Sequence, residues 1–404
     1  MKRRSWVVAC ALVVIATPAR AQVAVRGDTV HTMAGAPVRD GVVLVGADGK
    51  IERVGAATDV SIPEGYRTLQ ARVVTPGLVD AHSVVGLAGY LNQPHDQMQL
   101  DASAAIQPEL RAVDAYNARE TLVGWLRQHG VTTIHTGHAP GALVPGQTMI
   151  AKTRGDEVDE AVVTPFAAVA ATLGTAGLAG QGKSPGNRSK AVAMLRAELI
   201  KAKDYLAKRS GPEDKRPSRD LRLEALGKVV SGDVPLLVTA HRAHDILTAL
   251  RVGKEFGLRI ILDGGSEAYL VADRIKAAGV PVILHATMQR QGGDTENMSM
   301  ETAATLRKAG IPVAIQSGYE TYVPKTRVVL FEAAVAAANG LSFDEALGTI
   351  TIGAAKILGL DKRIGSLEAG KDGDIALYDG DPFEYTSHVT AVVIDGVVVS
   401  ETPK

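Results

Sequence analysis

The stretch "TPGLVDAHSVVGL", residues 75–87, sets small and apolar residues ahead of "DAH". The end of a barrel strand delivers an imidazole to an active site in this way, here His82, and imidazole is both a common metal ligand and an acid or base near neutral pH. A His-x-His metal pair needs a second His two residues on, and Val84 stands there. Further imidazoles and one amine end apolar runs: His135 in "VTTIHTG", Lys152 in "GQTMIAKTRGD", His241 in "LLVTAHRAHD" and His285 in "VPVILHATM". Counted round a barrel, these five end strands one, two, three, five and seven and are expected to converge on one rim.

Positioning them requires an ordered set of strands and helices. Amphipathic helical patterns fill "PELRAVDAYNARETLVGWLRQHG", "SKAVAMLRAELIKAKDYLAKR", "AHDILTALRVGKEFG", "EAYLVADRIKAAG" and "METAATLRKAG", and an apolar strand follows most of them after a glycine stop. This alternation predicts a parallel sheet and, from the number of repeats, a (β/α)8 barrel over residues 73–358. Residues 174–234 read as an insertion within it. Short alternating runs with Gly and Asp turns occupy 22–72 and 359–404, and the "ADGK" turn joins two of them as a hairpin. Both ends are therefore expected to pair into one small β-sandwich. The glycines of "GTAGLAGQGKSPGNRSK" do not have phosphate-loop spacing, so a rim loop is the expectation there.

Composition narrows the function. The 404 residues are 46% hydrophobic, and 44 Lys plus Arg balance 44 Asp plus Glu. Nothing in that balance draws the chain to nucleic acid or an anionic membrane; a small-molecule partner is expected. Residues 1–21 read as a signal peptide: basic "MKRR", apolar "SWVVACALVVIA", then Ala19-Arg20-Ala21. Cleavage after Ala21 gives a secreted or periplasmic protein starting at Gln22, with no membrane anchor. The lone cysteine, Cys10, leaves with the leader, so the mature chain has no thiol ligand.

"ARVVTPGLVDAH", the "GVTT" strand start, "VTAHRAHDILTALRVGKEFGL" and the tail "GTITIGAAKILGLDKRIGSLEAGKDGDIALYDGDP" together resemble the amidohydrolase superfamily, in its imidazolonepropionase-like and prolidase-like branch. The resemblance implies a metal-dependent barrel with a β-sandwich from both termini, hydrolysing C–N bonds with metal-activated water. It also implies ligands: a His-x-His pair on strand one, one His each from strands five and six, and an Asp on strand eight that doubles as general base. Some members add a carbamylated Lys, a role open to Lys152 beside that of substrate contact or ordinary strand-end lysine.

Carried onto this chain, His82 and His241 match. Val84, Gly264 and Gly318 stand at the other three positions, so a degenerate metal site is expected. Two imidazoles leave most of a zinc shell to solvent. Two readings follow. In one, His82, His135, His241 and His285 rebuild a site for Zn or another divalent metal that hydrolyses an amide, lactam or dipeptide. In the other there is no metal, and the barrel mouth binds a small molecule or the chain serves as a partner subunit without turnover. Homo-oligomers are common in the family that it resembles.

Overall fold

The computed structural model describes residues 22–180, 182–319 and 329–404, so the leader expected at 1–21 lies outside the described residues. Strands β1 (Val23–Val30), β2 (Val38–Val45), β3 (Ile51–Ala56) and β4 (Arg67–Pro76) open the chain. The barrel follows: β5 (Leu78–Ser83), β6 (Val131–Gly137), β7 (Gly146–Lys152), β8 (Val162–Thr172), β9 (Leu236–Ala240), β10 (Ile260–Gly264), β11 (Val282–Leu284) and β12 (Val313–Ile315). β13 (Ile375–Tyr378), β14 (Val389–Ile394) and β15 (Val397–Ser400) close it.

The terminal strands form one seven-stranded sheet, ordered β15-β14-β13-β4-β1-β2-β3. The "ADGK" turn joins β2 to β3 as expected. A second hairpin joins β14 to β15 through Asp395 and Gly396, both at positive φ (50° and 73°), the primed-turn geometry that Asp-Gly favours. Successive β13 side chains face opposite ways. Ile375 and Leu377 pack with Val23, Val25 and Val43, whereas Ala376 and Tyr378 pack with the core shared by the barrel strands and their helices.

The barrel strands run in order from β5 to β12. Helices such as Ala243–Phe256, with Gly257 at φ 68° closing its C-terminus, connect them. Residues 174–234 form the β8-to-β9 connection, whose helices Arg188–Arg209 and Leu221–Val230 pack on each other. Of the first expected helix only Thr121–Gln128 is α-helical, capped by Glu120, which accepts from the Leu122 amide, and Ala112–Asp114 forms a short 3-10 turn ahead of it. Near-closure comes at the β12–β5 seam, where the Ser317 amide donates to Asp80 Oδ1 (3.0 Å).

One strand departs from the expected parallel order: β7 pairs antiparallel with both β6 and β8. The physical reason is its connections. A parallel crossover needs about a dozen residues or more, usually with a helix, and residues 138–145 carry no helix. The reversal puts the end of β7 at the barrel's opposite face. There Lys152 is buried and ion-paired with Asp374, with Asp372 (3.2 Å) and with Asp395 (3.4 Å). Lys50 and Arg363 (3.0 Å) also reach Asp372, and Arg154 reaches Asp395 (3.3 Å). The cluster binds the terminal sheet to the barrel.

Candidate active site at the barrel mouth

Alternate residues of the barrel strands, among them Val79, Leu237, Ile261, Ile283 and Ala314, pack into one interior cluster. Their neighbours Leu236, Leu262, Leu284 and Ile315 pack outward against helices. Two residues beyond the inward apolar positions the same side turns polar: Thr239 and then His241, Asp263, His285 and Gln316. His82 joins them where the β5–β6 pairing shifts between Asp80 and Ser83. Together these six line a cavity of about 40 Å³, room for a few waters.

Asp263 is the hub. Its Oδ1 accepts from His82 Nδ1 (2.9 Å) and from Gln316 Nε2 (2.8 Å), and its Oδ2 accepts from Thr239 Oγ1 (2.6 Å). Burial opposes its ionisation, but the His82 charge and these donors prevail and pull its pKa to about 2. Burial likewise works against charge on His82, yet Asp263 raises the pKa of that imidazole. His285 is the contrast. Its Nδ1 faces the Ala286 carbonyl oxygen (2.8 Å) and so carries the ring proton, while burial lowers its pKa to about 4. His82 Nε2 and His285 Nε2 are both buried without a hydrogen-bond partner. His241, its pKa also lowered by burial, meets Ser266 Oγ through Nδ1 (2.8 Å).

The mouth thus gathers three of the five expected residues, His82, His241 and His285. His135 lies beside His82, with ring centroids 5.4 Å apart, but both its nitrogens are engaged, Nδ1 at the Ala81 carbonyl (2.7 Å) and Nε2 at Thr148 Oγ1 (2.7 Å). It does not line the cavity. Lys152 is at the other end of the barrel, which corrects its placement on the rim: the direction of β7 decides where it ends. Among the replaced positions, Val84 packs with Ala88 and Ala139. Gly264, at φ 83°, has the His241 ring where a side chain would project, 2.7 Å from an ideal Cβ to His241 Cε1. Gly318, at φ 77°, has room, with Ala286 Cβ 3.5 Å away. Asp263, Gln316 and Thr239 were missed from sequence. Their signal was the step of two from an inward apolar residue, legible in "RIILDGG", "LLVTAH" and "IPVAIQ".

Three imidazoles on one cavity are the donor chemistry of a catalytic zinc site, and two of them present bare Nε2 atoms. The geometry does not follow through. Among the described residues no three His, Cys, Asp or Glu side chains come together as a metal-ligand group. Both oxygens of Asp263 are occupied by donors, and His82 holds a proton against it. As placed, these residues do not fit a divalent cation.

Buried neutral imidazoles make stability depend on pH. His135, pulled to about 3 by burial and by His82, and His285, at about 4, stay neutral when folded but bind protons below about 6.5 when unfolded. Each therefore costs about 2 kcal/mol at pH 5. Asp80, raised to about 6 by burial, binds its proton more readily when folded and returns about 1 kcal/mol at the same pH. Chemical denaturation should find the protein about 2–3 kcal/mol less stable at pH 5 than at pH 7.5; a flat profile would contradict this burial.

The amidohydrolase family model matches residues 84–400. The chain is 27% identical over 382 residues to an imidazolonepropionase of Rhizorhabdus wittichii, covering 88% of this chain and 92% of that protein. The crystal structure of an amidohydrolase from Thermotoga maritima superposes with a TM-score of 0.88 at 29% identity, over 94% of this chain and 100% of that one. The family is typically metal-dependent, and a more distant fold relative, an adenosine deaminase from Xanthomonas campestris, carries bound zinc (TM-score 0.53, 17% identity, 95% of this chain and 92% of that one). A profile spanning most of the chain, over a barrel whose polar groups gather at one mouth, means that the protein belongs to the amidohydrolase family.

Proposed function

We propose that the chain hydrolyses a C–N bond of a small amide, lactam or dipeptide at the barrel mouth. The observation that carries this is the buried Asp263–His82 pair, whose free Nε2 shares a cavity with the free Nε2 of His285. Amide hydrolysis needs a proton taken from water and one given to the leaving nitrogen. His285 Nε2, a lone-pair acceptor by its tautomer, takes the water proton as the oxygen attacks the carbonyl carbon. His82, whose pKa Asp263 raises against the effect of burial, in its charged form gives the Nε2 proton to the nitrogen as the C–N bond breaks. Thr239 and Gln316 hold the Asp263 carboxylate in place.

The small cavity and the Gly at position 318, where the family's base would stand, favour a second reading in which the mouth binds without turnover. A hydrolysis panel headed by imidazolonepropionate, the compound in the name of the curated relatives, decides between them. We expect turnover that falls 100-fold or more in Asp263→Asn and in His285→Ala, the usual worth of a general acid or base. Saturable binding with no turnover across the panel would favour the second reading. Turnover lost on dialysis against a chelator would overturn the assignment of both proton transfers to His82 and His285 alone.

A further inference from the structure

Outside the barrel, a groove of about 420 Å³ runs between the helices Arg188–Arg209 and Ala243–Phe256, within the range of small-ligand sites. Its walls repeat one pattern. Arg188, Val192 and Arg196 stand at i, i+4 and i+8 of the first helix; His244, Leu247 and Arg251 stand at i, i+3 and i+7 of the second. Each helix thus offers an apolar residue between two basic ones, and Leu173 adds apolar wall.

The two ends of the groove differ in charge. Arg188 pairs with Asp245 and Arg196 with Glu255, 57 and 59 residues apart in sequence, so the helices lie side by side in the same direction. At the first end Arg188 meets two carboxylates, Asp245 (2.9 Å) and Asp294 (3.4 Å). At the second end, where Arg196 and Arg251 both line the groove, the one carboxylate paired is Glu255, which Arg196 alone holds at 2.9 Å. The Arg251 guanidinium donates to the Thr248 hydroxyl (2.9 Å) and meets no carboxylate among the described residues. Leu247, a large apolar side chain, keeps 36% of its surface exposed there. One guanidinium in excess beside uncovered apolar surface is the complement of an anion with an apolar body.

We propose that this groove binds a small amphipathic monoanion, its carboxylate or sulfonate on Arg251 and Arg196 and its apolar body along Leu247, Val192 and Leu173. The site is separate from the barrel mouth and independent of the reaction proposed there. The test is fluorescence titration of the full chain with 8-anilinonaphthalene-1-sulfonate at pH 7.5, with octanoate and octylamine as competitors. One saturable site is expected, displaced by octanoate and not by octylamine. Arg251→Glu and Leu247→Asp should each weaken it ten-fold or more, while His285→Ala leaves it unchanged. Arg251→Gln, which removes the charge with less disturbance, serves where Arg251→Glu fails to fold. No saturable binding, equal binding by the Arg251 variants, or loss in His285→Ala alone would overturn the proposal.

Discussion

Lys152→Met is expected to destabilise the protein by about 3–5 kcal/mol, the cost of removing one partner of a buried ion pair. Lys152 is the one cation that Asp374 meets among the described ion pairs, and Asp374 is itself buried beside Asp395. Burial and Asp395 then oppose ionisation of Asp374 with no ammonium to offset them, so its pKa, already raised, should climb further. Removing both charges should restore part of the loss, since a neutral pair leaves no buried carboxylate unpaired. Denaturation of Lys152→Met, Asp374→Asn and the double variant reads this directly. A cost below about 1 kcal/mol for Lys152→Met would mean that the Lys152 ion pairs add little to what holds the terminal sheet to the barrel.

Asp263→Ala should be of similar size, about 3–5 kcal/mol, because it strips His82, Thr239 and Gln316 of their common acceptor. The effect has a pH signature. The depressed pKa of Asp263 contributes stability that is present above the unfolded value near 4 and is lost as pH falls toward about 2. Asp263→Ala should lose that acid arm. His82, raised only by its acidic neighbours, should then titrate below 6.5 as burial takes over. NMR titration of the His82 ring in both proteins is the measurement; an unchanged His82 pKa would show that Asp263 is not its counter-ion.

Much of the fold was legible because local periodicity and global architecture agree. Apolar runs such as "LRIILDGG" and "VPVILHATM" alternate with helices that end in glycine, and β9 to β12 follow that rhythm as parallel strands. The direction of β7 is not written in such a rhythm. Spacing placed Lys152 at a strand end but not at which face of the barrel, and only the short helix-free segment 138–145 carried the information. At the mouth, the resemblance directed attention to Val84, Gly264 and Gly318, positions defined by what a relative would have there. Asp263, one residue before Gly264, went unread, although its step of two from Ile261 put it on the inward side. His135 was misjudged for another reason: a strand-end imidazole whose two nitrogens already have partners looks the same in sequence as one that is free.

The pairing of β13 with β4 sets a schedule for biosynthesis. Strands β1 to β4 leave the ribosome about 300 residues ahead of β13, the strand that extends their sheet (Pro76 to Ile375). At roughly 5–20 residues per second, β4 waits about 15–60 s for β13. Throughout that interval Val23, Val25, Val43 and Val74 lack the cover of Ile375, Leu377 and Val393. A nascent chain of this design is a client for whatever shields apolar strands in the cell until β13 and β14 emerge.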